Sequence, residues 1–188
     1  GNPHPDYDGD ARRGDNLYTN SVVALDVDTG KLKWHYQFTP HDVWHYDGVN
    51  EMVLIDFALQ TGKLKALVHA DRNGHFYAID RTNGTLRYAK PYVRVTWANG
   101  IDDNGRPVVN PEAIPTIEGV TVCPGAAGGK EWNAMAYSPV TQMVYVPAIE
   151  NCAKFVNSGV EARRKGVPPG ESGFSYLPEQ AYGKVMAI

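Results

Sequence analysis

The sequence predicts an all-β chain, a portion of a β-propeller, on three observations. Composition favours strands and turns: the 188 residues include 19 Gly, 13 Pro and 11 Tyr, and 43% are hydrophobic, enough to fill a core. No segment sustains a helical period; apolar runs of strand length bounded by turn residues dominate. One pattern also recurs 54 positions on, Ala24-Leu25-Asp26 with Thr29-Gly30-Lys31-Leu32-Lys33-Trp34 lying over Ala78-Ile79-Asp80 with Asn83-Gly84-Thr85-Leu86-Arg87-Tyr88. A repeated unit of several strands with an aromatic at a fixed place is the signature of a propeller, whose blades cannot bury both faces alone.

The elements follow in order. Ser21–Asp26 and Leu32–Tyr36 form a hairpin through Gly30, which can supply the positive φ of a tight turn. Met52–Asp56 pairs with Thr61–Ala66 in a second hairpin, and His75–Asp80 with Thr85–Tyr88 in a third. Tyr137–Pro139 and Met143–Val146 make another, and Gly183–Ile188 is expected to open the next unit. Trp34 and Tyr88 are read as blade-to-blade packing, since an aromatic at the end of a strand pair can tie neighbouring blades together. Residues 1–188 are therefore expected to form part of a single propeller domain. Because the chain opens on a turn and ends within an apolar strand, it is expected to be a piece of something longer.

A net charge of −3 argues against a nucleic-acid binder, which normally carries a basic stripe. No run approaches the roughly 18 apolar residues of a membrane helix, and the start does not read as a signal peptide. Cys123 and Cys152, 29 positions apart, make neither a CxxC motif nor a zinc site by themselves. Two free thiols and one disulfide both remain open. His35, His41 and His45 lack the spacing of a zinc ligand set. Asp6, Asp8 and Asp10 lack the glycine and closing Glu of a calcium loop, and read as a solvated acidic loop.

Several loops are too dense in polar and aromatic groups to be blade filler: 3–16, 39–50, 97–107 and 128–133. Within and between them run Gly1-Asn2-Pro3, Arg12-Arg13-Gly14-Asp15-Asn16, Thr39-Pro40-His41-Asp42, Asp47-Gly48-Val49-Asn50, Asp71-Arg72-Asn73-Gly74 and Gly128-Gly129-Lys130-Glu131-Trp132. In this order, together with the Ala-x-Asp…Thr-Gly…Trp unit, they resemble the pyrroloquinoline quinone (PQQ) dependent alcohol dehydrogenases of the methanol and ethanol type. The resemblance runs from residue 1 to 188. It implies an eight-bladed quinoprotein propeller several times larger than this chain. It also implies oxidation of a primary alcohol to an aldehyde in the bacterial periplasm, with electrons passing through PQQ to a cytochrome c. Beside the quinone the family carries a calcium or lanthanide ion.

Carried over position by position, the resemblance makes Asn2 a metal ligand through its amide oxygen. Arg72 becomes the basic residue near the quinone oxygens, and Glu131 and Trp132 the pair lining the cofactor. The family often has Asn where Glu131 stands. Cys123 and Cys152 fall where the family can carry a disulfide. The substantive departure is at Trp44-His45-Tyr46-Asp47. The family's catalytic Asp, the base for the alcohol proton, aligns with His45, and Asp47 aligns with the extra Asp of a lanthanide-binding signature. In an extended segment, positions two apart face the same side, so both can serve one site. Histidine is competent as a base near neutral pH. Three readings stay open: His45 as base, Asp47 as base with His45 orienting it, or a member that has lost the reaction. The competing class is a non-catalytic propeller module that binds a partner, because the repeat alone says nothing about catalysis. The 188 residues by themselves are expected to leave blade edges exposed, to bind PQQ weakly and to be inactive.

Overall fold

A computed structural model describes residues 1–59, 62–159, 165–166, 172–177 and 181–188. Among these, strands carry the architecture, joined by long loops and two short 3₁₀ turns. Its centre is a four-stranded antiparallel sheet in sequential order, β3 (Val53–Leu59), β4 (Gly62–Ala70), β5 (His75–Asp80) and β6 (Thr85–Pro91). β1 (Ser21–Leu25) and β2 (Leu32–Gln37) form a hairpin sheet on one side of it. Later come the hairpin β7 (Ala98–Ile101) and β8 (Pro107–Val109), then β9 (Val120–Val122), β10 (Ala136–Ser138), β11 (Met143–Glu150), β12 (Ala153–Val156), β13 (Gly173–Tyr176) and β14 (Tyr182–Ala187). The last six make two three-stranded sheets, β10-β11-β14 and β13-β12-β9.

Period-2 alternation explains the layering. Along β4 and β5, Ala66, Val68, Ala70 and Phe76 face one cluster with Val144, Val146 and Ala148 of β11. The alternate residues Leu67, Tyr77 and Ile79 face Val22, Tyr36 and Phe38 of the β1–β2 side. The middle strands of the central sheet are thus buried on both faces, as those of a blade between two neighbours are.

The repeat seen in the sequence has a physical cause. In each copy the Asp carboxylate closes the turn: Asp26 Oδ1 accepts from the Thr29 N–H and hydroxyl, at 3.0 and 2.9 Å, and Asp80 Oδ1 does the same for Thr82, at 3.0 and 2.6 Å. Trp34 docks on the neighbouring copy. Its Nε1 donates to the Arg81 carbonyl at 3.2 Å, and its ring lies where a Cβ on Gly84 would come within 2.9 Å of it. Gly84 also holds φ 79°, so both space and backbone demand glycine there. Tyr88, the second aromatic of the repeat, is 44% exposed. Val53–Leu59 and Gly62–Ala70 pair as predicted, with residues 60–61 of their turn outside the described set, and β4 joins them to β5 and β6 in one blade. β14 pairs antiparallel with β11 over Tyr145–Glu150, as β5 pairs with β4.

Cys123 and Cys152 form a disulfide. The register Ala153↔Val122 brings them side by side, so the bridge locks the β9–β12 rung across a separation of 29 residues. Replacing both by alanine in the full-length protein should cost about 3–4 kcal/mol by loop-closure entropy, read as a lower denaturation midpoint. An unchanged midpoint would mean that the ladder alone holds this edge.

Candidate functional site

The 39–50 loop is built around one buried carboxylate. Asp42 is fully buried; its Oδ1 accepts the Trp44 N–H at 2.8 Å, and its Oδ2 accepts the Tyr46 N–H and the Asn20 amide, both at 2.7 Å. Burial pushes the Asp42 carboxyl up to about 6, against the pull of these three donors. Because the N–H groups on both sides of His45 point at Asp42, the backbone reverses there and His45 sits at φ 65°. The segment is therefore not extended, as the spacing had suggested. Trp44 and Tyr46 turn inward, donating to the Ala113 carbonyl (Nε1) and the Pro124 carbonyl (Oη), each at 2.7 Å, and packing on Trp97. The His45 side chain turns outward, 36% exposed.

Two carboxylates meet it. His45 Nδ1 lies 3.0 Å from Asp6 Oδ2 and 3.9 Å from Asp47 Oδ1. His45 and Asp47 thus converge through loop geometry, not strand alternation. Arg12 fixes the 5–6 segment against the loop: Nε donates to the Pro5 carbonyl at 2.9 Å, and Nη2 to the carbonyls of Asp6 (2.7 Å) and Asp42. The 6–10 stretch is consequently not the solvated acidic loop the sequence suggested, since Asp8 is buried and Asp6 is committed to His45. Tyr7 packs beside His45 and Phe155, and burial next to Asp6 pushes its phenol up to about 12. His4, Pro5, Asp6, Tyr7 and Ala11 line an open cavity of ≈ 490 Å³ at this point.

Arg72 stands on the other side of Asp47. Its Nη1 donates to the Asp47 carbonyl at 3.1 Å, and Nη2 bonds the Ala126 carbonyl and pairs with Glu131 Oε1 at 2.8 Å. Arg72 and Glu131 are therefore partners, where the sequence had given each a separate contact. Gly128 permits the approach: a Cβ there would lie 2.7 Å from the Arg72 carbonyl oxygen, and φ is 73°. The neighbouring Trp132 is 74% exposed.

Among the described residues, the buried polar atoms here that lack a hydrogen-bond partner include Asn2 Oδ1, Asn20 Oδ1, Asp47 Oδ1, Asn50 Oδ1 and Arg72 Nε. Gly1, Asp47 and Asn50 share the lining of one small cavity of ≈ 60 Å³. Unpartnered amide and carboxylate oxygens suit a hard cation, and an unpartnered guanidinium N–H suits an anionic oxygen. No group of three or more His, Cys, Asp or Glu among the described residues could hold a metal by itself. The three histidines considered for zinc go separate ways: His35 against Tyr18, His41 to the Gly14 carbonyl, His45 to Asp6.

Sequence reasoning missed Asp6, Asp42 and Arg12. Thirty-nine positions separate Asp6 from His45, and no local spacing announces that pair.

Comparison with known proteins gives the site its setting. Residues 1–89 match the PQQ family, described as the glucose/ethanol/alcohol dehydrogenase β-propeller domain. The chain is 41% identical over its whole length to the quinoprotein alcohol dehydrogenase PedH of Pseudomonas putida, covering 33% of that protein. It is 46% identical, over 79% of its length, to the lanthanide-dependent methanol dehydrogenase of Methylacidiphilum fumariolicum, covering 24%. The quinohemoprotein alcohol dehydrogenase of Comamonas testosteroni superposes on 97% of the chain with TM-score 0.82 and 33% identity, 29% of that structure being covered. The chain thus spans about a third or less of the proteins it matches. By sequence along its whole length and by its blade architecture, the chain belongs to the β-propeller of the PQQ-dependent quinoprotein alcohol dehydrogenases.

Proposed function

We propose that this chain carries the proton-accepting and part of the metal-binding machinery of an enzyme that oxidises primary alcohols to aldehydes. The observation that carries the reading is the convergence of His45, Asp47 and Arg72 beside buried oxygens with no partner of their own. Asn2 and Asp47 would hold a calcium or lanthanide ion through those oxygens, two of the roughly six to eight such an ion takes. Arg72, steadied by Glu131, would present its free Nε–H to the quinone oxygens, and the exposed indole of Trp132 would cover the ring system. When bound, PQQ beside its metal ion supplies the acceptor for the hydride that leaves the alcohol carbon. The imidazole of His45 takes the hydroxyl proton.

The resemblance further implies a cytochrome c as electron acceptor and a periplasmic location. The Cys123–Cys152 bridge suits an oxidising compartment, and no helix among the described residues is long and apolar enough to cross a membrane. A second reading draws on His45 itself: a propeller that keeps the family fold and has lost the reaction along with the family Asp.

Metal titration of the full-length apoprotein tests the ligand assignment. Asn2→Ala and Asp47→Ala should each weaken terbium or calcium binding by at least about tenfold, with Asp47→Ala acting more strongly on the trivalent ion. Wild-type affinity in both variants would remove Asn2 and Asp47 from the metal site.

A further inference from the structure

We infer that Asp6 is a positioning residue for His45, fixing the imidazole as the Nδ1–H tautomer so that Nε2 is the atom that takes the alcohol proton. This rests on the reading of His45 as base. Its grounds are in the geometry. Nδ1 is 3.0 Å from Asp6 Oδ2, a hydrogen-bond distance at which a carboxylate can only accept, so Nδ1 must carry the hydrogen. Asp47 Oδ1, at 3.9 Å from the same nitrogen, is too far to bond it. Nε2 has no hydrogen-bond partner among the described residues. The other carboxylate oxygen, Asp6 Oδ1, lies 3.7 Å from the exposed His4, also beyond bonding range, so Asp6 is not diverted from His45.

Both partners are held by the fold. Asp42 fixes the backbone on either side of His45, and the Arg12 guanidinium joins the Pro5 and Asp6 carbonyls to the Asp42 carbonyl. One clamp therefore sets the separation of acid and imidazole. Once Nε2 gains the hydroxyl proton, the imidazolium keeps its Nδ1–H on Asp6; no other bond changes on the imidazole at this step. A chain that replaces a carboxylate base by histidine needs such a partner, because a carboxylate has equivalent oxygens and an imidazole has two distinct nitrogens.

The test is nitrogen-15 spectroscopy of histidine-labelled full-length protein, with the His45 signals identified by their loss in His45→Gln. Wild type should show His45 protonated at Nδ1 and bare at Nε2 when neutral. Asp6→Ala should shift it toward the Nε2–H form and lower alcohol-dependent turnover of the PQQ-loaded protein on the order of 100-fold with an unchanged melting temperature. Asp6→Asn, which keeps an acceptor oxygen, should restore the Nδ1–H form. An Nε2–H imidazole in wild type, or a tautomer that ignores Asp6→Ala, would overturn the inference. The spectra need no cofactor. A correct tautomer in a protein that never oxidises alcohol would leave the dyad standing and remove the reading of His45 as a working base.

Discussion

His45→Gln in the full-length, PQQ-loaded protein should lower alcohol oxidation by about 10²- to 10⁴-fold, the usual weight of a positioned general base. The loss should fall on kcat, with metal binding and melting temperature close to wild type, since the side chain is partly exposed and packs mainly through Asp6 and Tyr7. His45→Asp is the more informative companion. It returns the carboxylate that the family uses, but removes the Nδ1–H through which Asp6 holds the side chain. Turnover should therefore fall below wild type. Activity at or above wild type would show that the imidazole is not tuned to this setting. Full activity of His45→Gln would move the base to another group, Asp47 being the nearest.

Asp42→Ala should be the largest single-residue loss of stability near the site, about 3 kcal/mol at pH 7. It strands three buried donors, the Trp44 and Tyr46 N–H groups and the Asn20 amide, each worth about 1–3 kcal/mol when unsatisfied. Relief of a buried carboxylate offsets part of that. The pH dependence follows from the raised value. The folded carboxyl keeps its proton up to about pH 6, the unfolded one only to about 3.9, so the folded state binds more protons between these limits. Asp42 thus contributes most stability below about pH 4 and loses about 3 kcal/mol of it as pH rises through 6. The gap between wild type and Asp42→Ala should accordingly widen when urea unfolding is repeated at pH 4.5. A gap that narrows on acidification would mean that Asp42 is ionised in the fold well below pH 6. The same variant should loosen the backbone around His45 and reduce turnover, linking the stability of the loop to its chemistry.

What could be read from the chain alone was whatever depended on neighbours a few residues apart. The turns after Asp26 and Asp80 follow from Asp, Thr or Asn, and Gly at fixed offsets, and Trp34 as a docking residue follows from its place in the repeat. Sheet membership was less legible. Whether Val53–Leu59 begins a new unit or extends the next blade depends on the pairing of β4 with β5, which two hairpins of similar flavour do not reveal.

At the site, His45, Asp47 and Arg72 were recognisable through an ordered series of motifs, and they do meet. Their helpers were not. Asp6 was dismissed because the alternating acids of 6–10 failed as a calcium loop, yet its role is set by Arg12 and by a loop 39 positions away. The pairing of Arg72 with Glu131 likewise spans the chain and depends on a glycine letting two backbones touch. Long-range polar pairs of this kind leave no periodic trace.

The most direct measurement is reconstitution of the intact protein with PQQ and either calcium or a lanthanide, followed by dye reduction on addition of a primary alcohol. The account predicts alcohol-dependent reduction with at least one of the metals, one aldehyde formed per two electrons delivered, and its loss in His45→Gln. Bound PQQ and bound metal without any alcohol-dependent reduction would contradict it, and would identify the protein as a propeller that retains the site and not the reaction.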